Sequence, residues 1–303
     1  MRVYDDWGSG GPDSSGGSGG LDDSGGSGSP SGSANPNISG GSEVMGGPDG
    51  SERLDIVIDA GPDFRAQMLA ADVRKLDGIL MTHEHKDHTG GLDDIRAYNY
   101  FAAAPVDIWA TERVQGALRR DYAYAFDERP YPGAPEITLH TIDDGRDADG
   151  TMVGNGKPFC VKGIVVTPIR GLHMRLPVVG FRMGGLAGFS GFSDGFGDSG
   201  FSGGSVFSDS LGGGLAYLTD FNHIDEGEMA KLHGLDTLVI NALGHKAHIS
   251  HFNLEQAVEV ARKVGARRTY LTHISHRMGL YADIEPTLPE GIHLAYDGLT
   301  IRL

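Results

Sequence analysis

The residues best suited to chemistry lie in one short segment, 82–88, with the sequence Thr-His-Glu-His-Lys-Asp-His. The segment directly follows the apolar run 78–81, which predicts a buried strand. Imidazole nitrogens and carboxylate oxygens are ligands that suit Zn²⁺ or Mn²⁺. A solvated histidine-rich turn is the alternative, but the strand before the segment and Gly90-Gly91 after it favour a metal site.

The spacing inside this segment indicates two metal positions. His83 and His85 are two residues apart, so an extended backbone turns both rings to the same side. The turn that follows brings Asp87 and His88 to a second position beside the first. Two ions about 3.5–4 Å apart could be bound in this way, as in two-metal hydrolytic sites.

The pattern His-x-His-x-Asp-His after a buried strand resembles the signature of the metallo-β-lactamase fold hydrolases, and the resemblance extends over residues 54–303. Within that superfamily, segments 59–65, 176–182 and 271–276 are most similar to the PhnP-like phosphodiesterases, which open phosphoribosyl cyclic phosphates. The resemblance implies an αββα sandwich of two mixed β-sheets with helices outside. Periodicity alone predicts only an α/β or α+β fold.

The resemblance also implies two divalent metal ions, Zn or Mn, and a complete set of ligands for them. The first ion would be bound by His83, His85 and His173, the second by Asp87, His88 and His273, with Asp220 bridging the two. A lone histidine near a strand end is more often structural, and a lone aspartate there is more often a helix cap. The complete set of seven favours ligation.

His251 and Asp87 are the catalytic candidates, and Asp87 is also counted as a ligand. His251 lies just before the predicted helix 254–264 and matches a position near the reacting phosphate in the PhnP-like branch. Imidazole side chains commonly transfer protons in catalysis, although His251 could instead belong to a capping turn around Asn253. Asp59 is expected to steady metal ligands by hydrogen bonds.

Composition divides the chain into a tail and one hydrolase domain. Residues 1–52 are expected to form a disordered tail, because 8–51 are more than half Gly and Ser and cannot offset their own ordering entropy. Residues 53–303 are expected to form the domain. A low-complexity insertion at about 184–214 is expected to interrupt it as a floppy segment, with a lid over the site as the alternative.

The rest of the domain alternates predicted strands and helices. Strands are predicted at 54–58, 78–81, 106–110, 137–142, 159–168, 178–182, 215–220, 237–242 and 269–272, with a closing hairpin of 292–295 and 299–303 across Asp297-Gly298. Helices are predicted at 91–101, 111–122 with Thr111 as N-cap, 225–233 and 254–264.

The charge of the chain bears on its partners. The net charge is 25 − 41 = −16, of which −6 lies in residues 1–53 and −10 in the remainder. So acidic a domain disfavours a nuclease and any nucleic-acid partner, whereas a small phosphorylated substrate is compatible with two divalent ions. Cys160 is the only cysteine, which excludes an intrachain disulfide. No membrane segment is evident, so a cytoplasmic location is expected, and relatives in this branch suggest a possible homodimer.

The expected function is metal-assisted hydrolysis of a phosphodiester, most simply a small cyclic phosphate. Hydrolysis of a thioester or lactone is the alternative chemistry, and an inactive metal-binding module is the non-enzymatic one. PhnP-like proteins usually open with a strand and a Cys-x-Cys-x-x-Cys cluster, which residues 1–50 replace here. His276 therefore has no cysteine partners and is assigned no structural metal, and the first sheet is expected to lack an edge strand.

Overall fold

Two β-sheets form the centre of the protein in a computed structural model that describes residues 2–4, 54–184 and 213–303. The expected tail, 1–52, and the expected insertion, about 184–214, lie almost wholly outside the described residues. The described strands, β1 to β13 in chain order, are Arg2–Tyr4, Ile56–Ile58, Gly78–Leu80, Val106–Ala110, Ile137–Thr141, Phe159–Val161, Ile164–His173, Leu176–Met183, Leu215–Leu218, Thr237–Asn241, Arg268–Thr272, Ile292–Leu294 and Thr300–Arg302.

Helices cover the outer faces of these sheets. The described α-helices, α1 to α7, are Phe64–Ala70, Lys86–Thr89, Arg96–Ala102, Glu112–Asp121, Glu226–Met229, Leu254–Val264 and Tyr281–Ile284. Single turns of 3₁₀-helix lie at Leu92–Ile95, Ala123–Ala125, Ala230–Leu232 and Glu285–Thr287. None of the helices in the described part of the chain has the length and hydropathy of a membrane span.

The sheet topology brings the ends of several strands to one edge. The smaller sheet has the order β2-β3-β4-β5, and all its neighbours are parallel. The larger sheet has the order β12-β11-β10-β9-β8-β7-β6, parallel from β12 to β9 and antiparallel from β9 to β6. Loops that follow parallel strands gather at their carboxyl ends, which is where an α/β sheet builds a site.

Three apolar clusters separate the layers. The cluster between the sheets joins Leu80 and Trp109 of the smaller sheet to Val179 and Phe181 of the larger one. A second cluster packs helices on the smaller sheet, and a third packs α6 on the larger sheet. These layers confirm the αββα sandwich.

Helix α6 shows how local sequence fixes one of these layers. The Asn253 side chain accepts a hydrogen bond from the Gln256 backbone N–H, and the Gln256 side chain accepts one from the Asn253 backbone N–H, which forms a capping box. Ala257, Ala261 and Val264 form its buried face, and Gly265 ends the helix in a left-handed conformation. The prediction of a helix over 254–264 agrees with these bounds.

The predicted closing hairpin is wrong. Strand β12 pairs in parallel with β11, and β13 pairs in parallel with β1, so the two do not form a ladder with each other. Ile292 and Leu294 of β12 are buried in the cluster under α6. Burial of these side chains in the larger sheet prevails over the local turn at Asp297-Gly298.

The predicted strand 159–168 is also wrong, because it is a hairpin of β6 and β7. Lys162 and Gly163 form a two-residue turn with φ angles of 49° and 92°. Both values belong to the left-handed region that tight antiparallel hairpins require. A glycine inside the apolar run was the available signal.

Residues 2–4 do not supply an edge strand to the smaller sheet. They form β1, which pairs with β13 and not with the smaller sheet. Among the described residues, β2 is hydrogen-bonded to β3 alone, so its other edge lacks a ladder partner there.

Candidate metal centre

The expected site residues lie where strands end. Asp59 follows β2, residues 82–88 follow β3, His173 ends β7, and Asp220 and His273 follow β9 and β11. Asp59, Asp220 and His273 have φ angles of 60°, 62° and 54°. A non-glycine residue in this left-handed region costs on the order of 1–3 kcal/mol, so the surrounding structure holds three side chains against local strain.

Four of the histidines lie ring to ring. The ring centroid of His83 is 4.7 Å from that of His85 and 4.2 Å from that of His88. The ring of His173 lies 5.1 Å from His85 and 5.7 Å from His83. The structure thus brings together the three residues expected to bind the first ion, with His88 beside them.

Asp220 lies at the centre of the cluster. Its Oδ2 atom is 3.0 Å from Nε2 of His88, and its Oδ1 atom is 3.3 Å from Nε2 of His273 and 3.8 Å from Nδ1 of His173. One carboxylate therefore reaches histidines of both expected ligand groups, which is the arrangement a bridging ligand needs. The Asp87 carboxylate lies 3.5 Å from Nε2 of His88, at the exposed side of the cluster.

Asp59 contacts the segment 82–88, which carries four of the expected ligands. Its Oδ1 atom accepts a hydrogen bond of 2.8 Å from the Thr82 backbone, and its Oδ2 atom accepts one of 2.7 Å from the Thr82 hydroxyl. The same Oδ2 atom is 2.7 Å from Nδ1 of His88. Such an acceptor at Nδ1 leaves Nε2 of His88 to face the cluster, which is the supporting role expected of Asp59.

His251 lies inside the cluster and contacts Asp220, so its position is not one that only the substrate could reach. Its Nε2 atom is 2.8 Å from Oδ1 of Asp220, and its ring centroid is 4.5 Å from that of His173 and 4.7 Å from that of His273. Its Nδ1 atom is 3.0 Å from the Ser250 hydroxyl. The structure therefore makes His251 a candidate ligand as well as a candidate proton donor.

The carboxylates and histidines of the cluster shift one another's pKa values. Burial alone would lower the pKa of His88, but hydrogen bonds with Asp220, Asp59 and Asp87 raise it to about 12. Burial would raise the pKa of Asp220, but hydrogen bonds with His251 and His88 hold it well below its usual range. The carboxylates thus strongly favour positive charge at this position.

Two buried ring nitrogens support metal binding. Nε2 of His83 and Nδ1 of His173 have no hydrogen-bond partner, and buried polar atoms seldom remain unpaired without a reason. Burial lowers the pKa of His83 to about 3 and also lowers that of His173, so both rings are neutral and offer lone pairs. Neutral imidazoles around a carboxylate fit a divalent cation.

The tightest groups of possible ligand atoms differ slightly from the expected sets. One group joins His83, His88 and Asp220, and the other joins His173, Asp220 and His251. The remaining expected ligands, His85, Asp87 and His273, lie beside these groups at the distances given above. His276 is exposed and belongs to neither group in the described part of the chain.

Some supporting residues could not be identified from the sequence. Arg113 of α4 donates from Nε to Glu84, a 2.8 Å bond that braces the ligand loop between His83 and His85. Gly61 packs so closely that a Cβ atom would lie 2.3 Å from the Asp87 carbonyl oxygen. The contact between Arg113 and Glu84 joins distant segments, and no local sequence pattern indicates it. Gly61 lies two residues after Asp59, so the sequence alone could have indicated its importance.

Comparison with known proteins agrees with this architecture. The Beta-lactamase superfamily domain matches residues 55–274. The chain belongs to the beta-lactamase superfamily. A solved structure described as a new diphosphatase from the PhnP family superposes with a TM-score of 0.62 at 31% identity, covering 80% of this chain and 77% of that one. This similarity confirms the resemblance to the PhnP-like branch.

Two further proteins share sequence or fold with this chain. An octanoyltransferase of Porphyromonas gingivalis is 33% identical over 245 residues, which are 80% of this chain but 41% of that protein. The chain thus spans less than half the length of this curated relative. Zn²⁺-bound PqqB from Methylobacterium extorquens shares the fold, with a TM-score of 0.54 at 16% identity over 82% of this chain and 83% of that one. These comparisons assign the chain the metallo-β-lactamase fold.

Proposed function

We propose that this chain is a phosphodiesterase that uses two divalent ions, Zn or Mn, to hydrolyse a small cyclic phosphate such as a phosphoribosyl cyclic phosphate. The observation that carries the proposal is Asp220, whose carboxylate lies within 4 Å of histidines from both ligand groups. A PhnP-family diphosphatase at 31% identity supports chemistry at phosphorus. The proposed ligands are His83, His85, Asp87, His88, His173, Asp220 and His273.

The ions would supply the positive charge that neutralises phosphoryl oxygens and the activation that makes water a nucleophile near neutral pH. The chain's own residues prepare that chemistry. Asp59 fixes the orientation of the His88 ring through Nδ1, and Thr82 holds Asp59 through two hydrogen bonds. Asp220, buried and ionised, holds the histidines around one centre.

Proton delivery is assigned to His251. Attack of water on phosphorus forms one P–O bond and breaks the bond to a ribose oxygen, which must gain a proton to leave. The Nδ1 atom of His251 is 3.0 Å from the Ser250 hydroxyl and its Nε2 atom is 2.8 Å from Oδ1 of Asp220, which places the ring in the cluster where the leaving oxygen would lie. Asp87, at the exposed rim, is the second proposed catalytic side chain.

We also propose the partners and the domain organisation of the chain. A small phosphorylated molecule is the proposed partner, with nucleic acid disfavoured by the charge of −16. We also retain the division into a tail, 1–52, and a hydrolase domain, 53–303, with an insertion at about 184–214. A homodimer remains part of the proposal.

A substrate screen tests the proposed reaction. The metal-loaded protein would be offered bis-p-nitrophenyl phosphate, a cyclic nucleotide, a phosphoribosyl cyclic phosphate, a thioester and a lactone. Hydrolysis of phosphodiesters without turnover of the thioester or lactone is expected. Turnover of the thioester or lactone alone would contradict the proposal and assign the site to acyl chemistry.

A further inference from the structure

Asp220, the proposed bridging ligand, has a backbone conformation that needs support from its surroundings. Its φ angle of 62° lies in the left-handed region, which is unfavourable for a residue with a Cβ atom. Strand β9, which leads to Asp220, ends at Leu218, and Leu218 opposite Ile240 is the last pair in its ladder with β10. Asp220 thus lies beyond the regular ladder, so other contacts must hold it in place.

Asn241, the last residue of β10, supplies such contacts and is fully buried. Its Oδ1 atom accepts a hydrogen bond of 2.8 Å from the backbone N–H of Phe221, the residue after Asp220. Its Nδ2 atom donates a hydrogen bond of 2.9 Å to the Phe221 carbonyl oxygen. A side-chain amide has one accepting and one donating side, so these two bonds also fix its orientation. The Asn241 side chain therefore pairs with Phe221 as a neighbouring strand would.

The Phe221 carbonyl group also holds the turn that carries His251. Its oxygen accepts a second hydrogen bond, of 2.7 Å, from the backbone N–H of Phe252. Phe252 directly follows His251, whose Nε2 atom is 2.8 Å from Oδ1 of Asp220. One carbonyl group thus links Asn241, the segment that carries Asp220 and the turn that carries His251.

The Phe221 ring fixes the same residue from another side. The ring is fully buried and packs against Gly171 of β7 and Gly180 of β8. A Cβ atom at Gly171 would overlap the ring, so this close approach requires glycine. Gly171 lies two residues before His173, so the ring also connects Asp220 to the strand that ends with another proposed ligand.

We infer that Asn241 is a positioning residue of the metal centre, because its amide holds Phe221 and thereby keeps the Asp220 carboxylate within reach of both groups of histidines. The inference rests on the proposed two-ion phosphodiesterase function and adds to it a residue that contacts neither ion. Without the amide, the buried N–H of Phe221 loses its acceptor, and Asp220 is free to leave its strained conformation. Its carboxylate would then no longer bridge the ions.

Asn241→Ala tests the inference through metal binding and not through hydrolysis. Competition with a chromophoric chelator would give the dissociation constant of each ion. Because Asp220 is proposed to bridge the ions, both should bind about 10–100-fold more weakly, the range for loss of a residue that supports a metal ligand. Asn241→Ser, which can keep one of the two hydrogen bonds, should lose less affinity.

Asn99→Ala is the matched control, because Asn99 holds Glu136 in the same way. The buried Asn99 side chain accepts a hydrogen bond of 3.1 Å from the Glu136 backbone N–H and donates one of 2.9 Å to the Glu136 carbonyl oxygen. Glu136 precedes β5, at the end of the smaller sheet opposite to the metal centre. Both alanine variants should lower the melting temperature of the metal-free protein. Only Asn241→Ala should weaken metal binding and change the absorption spectrum of the Co²⁺-loaded protein, which reports ligand geometry.

The outcomes separate this inference from the proposed reaction. Unchanged affinity in Asn241→Ala, weaker binding of one ion alone, or an equal loss of affinity in Asn99→Ala would overturn the inference and leave the proposed hydrolysis in place. If Asn241→Ala does not fold, the same comparison between Asn241→Ser and Asn99→Ser decides. Wild-type protein that binds fewer than two ions would overturn the proposed function and the inference together. Two bound ions without phosphodiester hydrolysis, both weakened in the Asn241 variants alone, would support the inference although the proposed reaction had failed.

Discussion

Replacement of Asp59 by Asn tests the hydrogen bond that supports the ligand His88, while His88 itself is unchanged. Asp59 binds no ion in this account, but its Oδ2 atom is 2.7 Å from Nδ1 of His88 and 2.7 Å from the Thr82 hydroxyl. If the side-chain amide of the variant keeps its oxygen as the acceptor for the Thr82 backbone N–H, its NH₂ group must face Nδ1 of His88 and the Thr82 hydroxyl. His88 then loses its Nδ1 acceptor, and the tautomer with a free Nε2 is no longer favoured.

The expected loss is moderate and specific to metal binding. Removing a hydrogen-bonding partner of a metal-bound histidine typically weakens metal affinity about 10–100-fold. This range corresponds to about 1.4–2.8 kcal/mol, since each tenfold is about 1.4 kcal/mol. The assay is competition with a chromophoric chelator, which measures the dissociation constant of each ion in wild-type protein and in Asp59→Asn.

Asp63→Asn is the matched control. Asp63 is four residues away, exposed, and makes no capping hydrogen bond at the start of α1, so the same chemical change should leave affinity unaltered. Wild-type metal affinity in Asp59→Asn would refute the role of Asp59. An equal loss in both variants would show a general charge effect and not the contact with His88.

Three other substitutions test other parts of the account. His85→Ala should remove a ligand of the first ion and lower phosphodiester turnover by orders of magnitude, and near-normal turnover would exclude its role. His251→Ala should lower turnover about 10²–10⁴-fold while two ions stay bound, and less so for a nitrophenolate leaving group; loss of an ion would instead make His251 a ligand. Burial would raise the pKa of Glu228, but its bonds with Lys231 and Arg170 hold that pKa below the usual value. Glu228→Gln should therefore destabilise the protein by about 3–5 kcal/mol at neutral pH. Because the folded-state pKa is depressed, the wild-type advantage in urea unfolding should be complete above the ordinary glutamate pKa and shrink as the pH falls below it; a variant as stable as wild type at neutral pH would exclude this contribution.

The strands that carry the site were the most predictable part of the fold. Segment 106–110 and the helix 254–264 have the predicted bounds, and the predicted strands at 78–81 and 237–242 are each one residue longer than β3 and β10. Their apolar runs are continuous or strictly periodic, and both faces of the inner strands are buried. Where burial and local pattern agree, sequence alone gives the element.

Errors arose where a local signal competed with distant pairing. Asp297-Gly298 has the composition of a hairpin turn, but β12 and β13 each pair in parallel with another strand. Helix α1 was not predicted, although Phe64 and Met68 are four residues apart and both buried. The short turn of helix α2 lies inside the ligand segment, where its histidines and acids gave no apolar period.

The sequence predicted which residues lie together in the candidate site, but it did not predict the contacts between them. The seven proposed ligands follow from the resemblance of their motifs to the family signature, and the structure brings all of them to one edge of the sheets. The position of His251 beside Asp220 depends on how the 248–251 turn packs against the residues that follow β9, which no local pattern encodes.

The most direct test of the central proposal is a metal titration that follows phosphodiester turnover. Chelator-treated protein would receive Zn²⁺ or Mn²⁺ in fractions of an equivalent while hydrolysis of bis-p-nitrophenyl phosphate is recorded. The account predicts no turnover without metal and a rise that reaches its plateau at two ions per chain. Full turnover without metal, a plateau at one ion, or two bound ions without phosphodiester hydrolysis would contradict it.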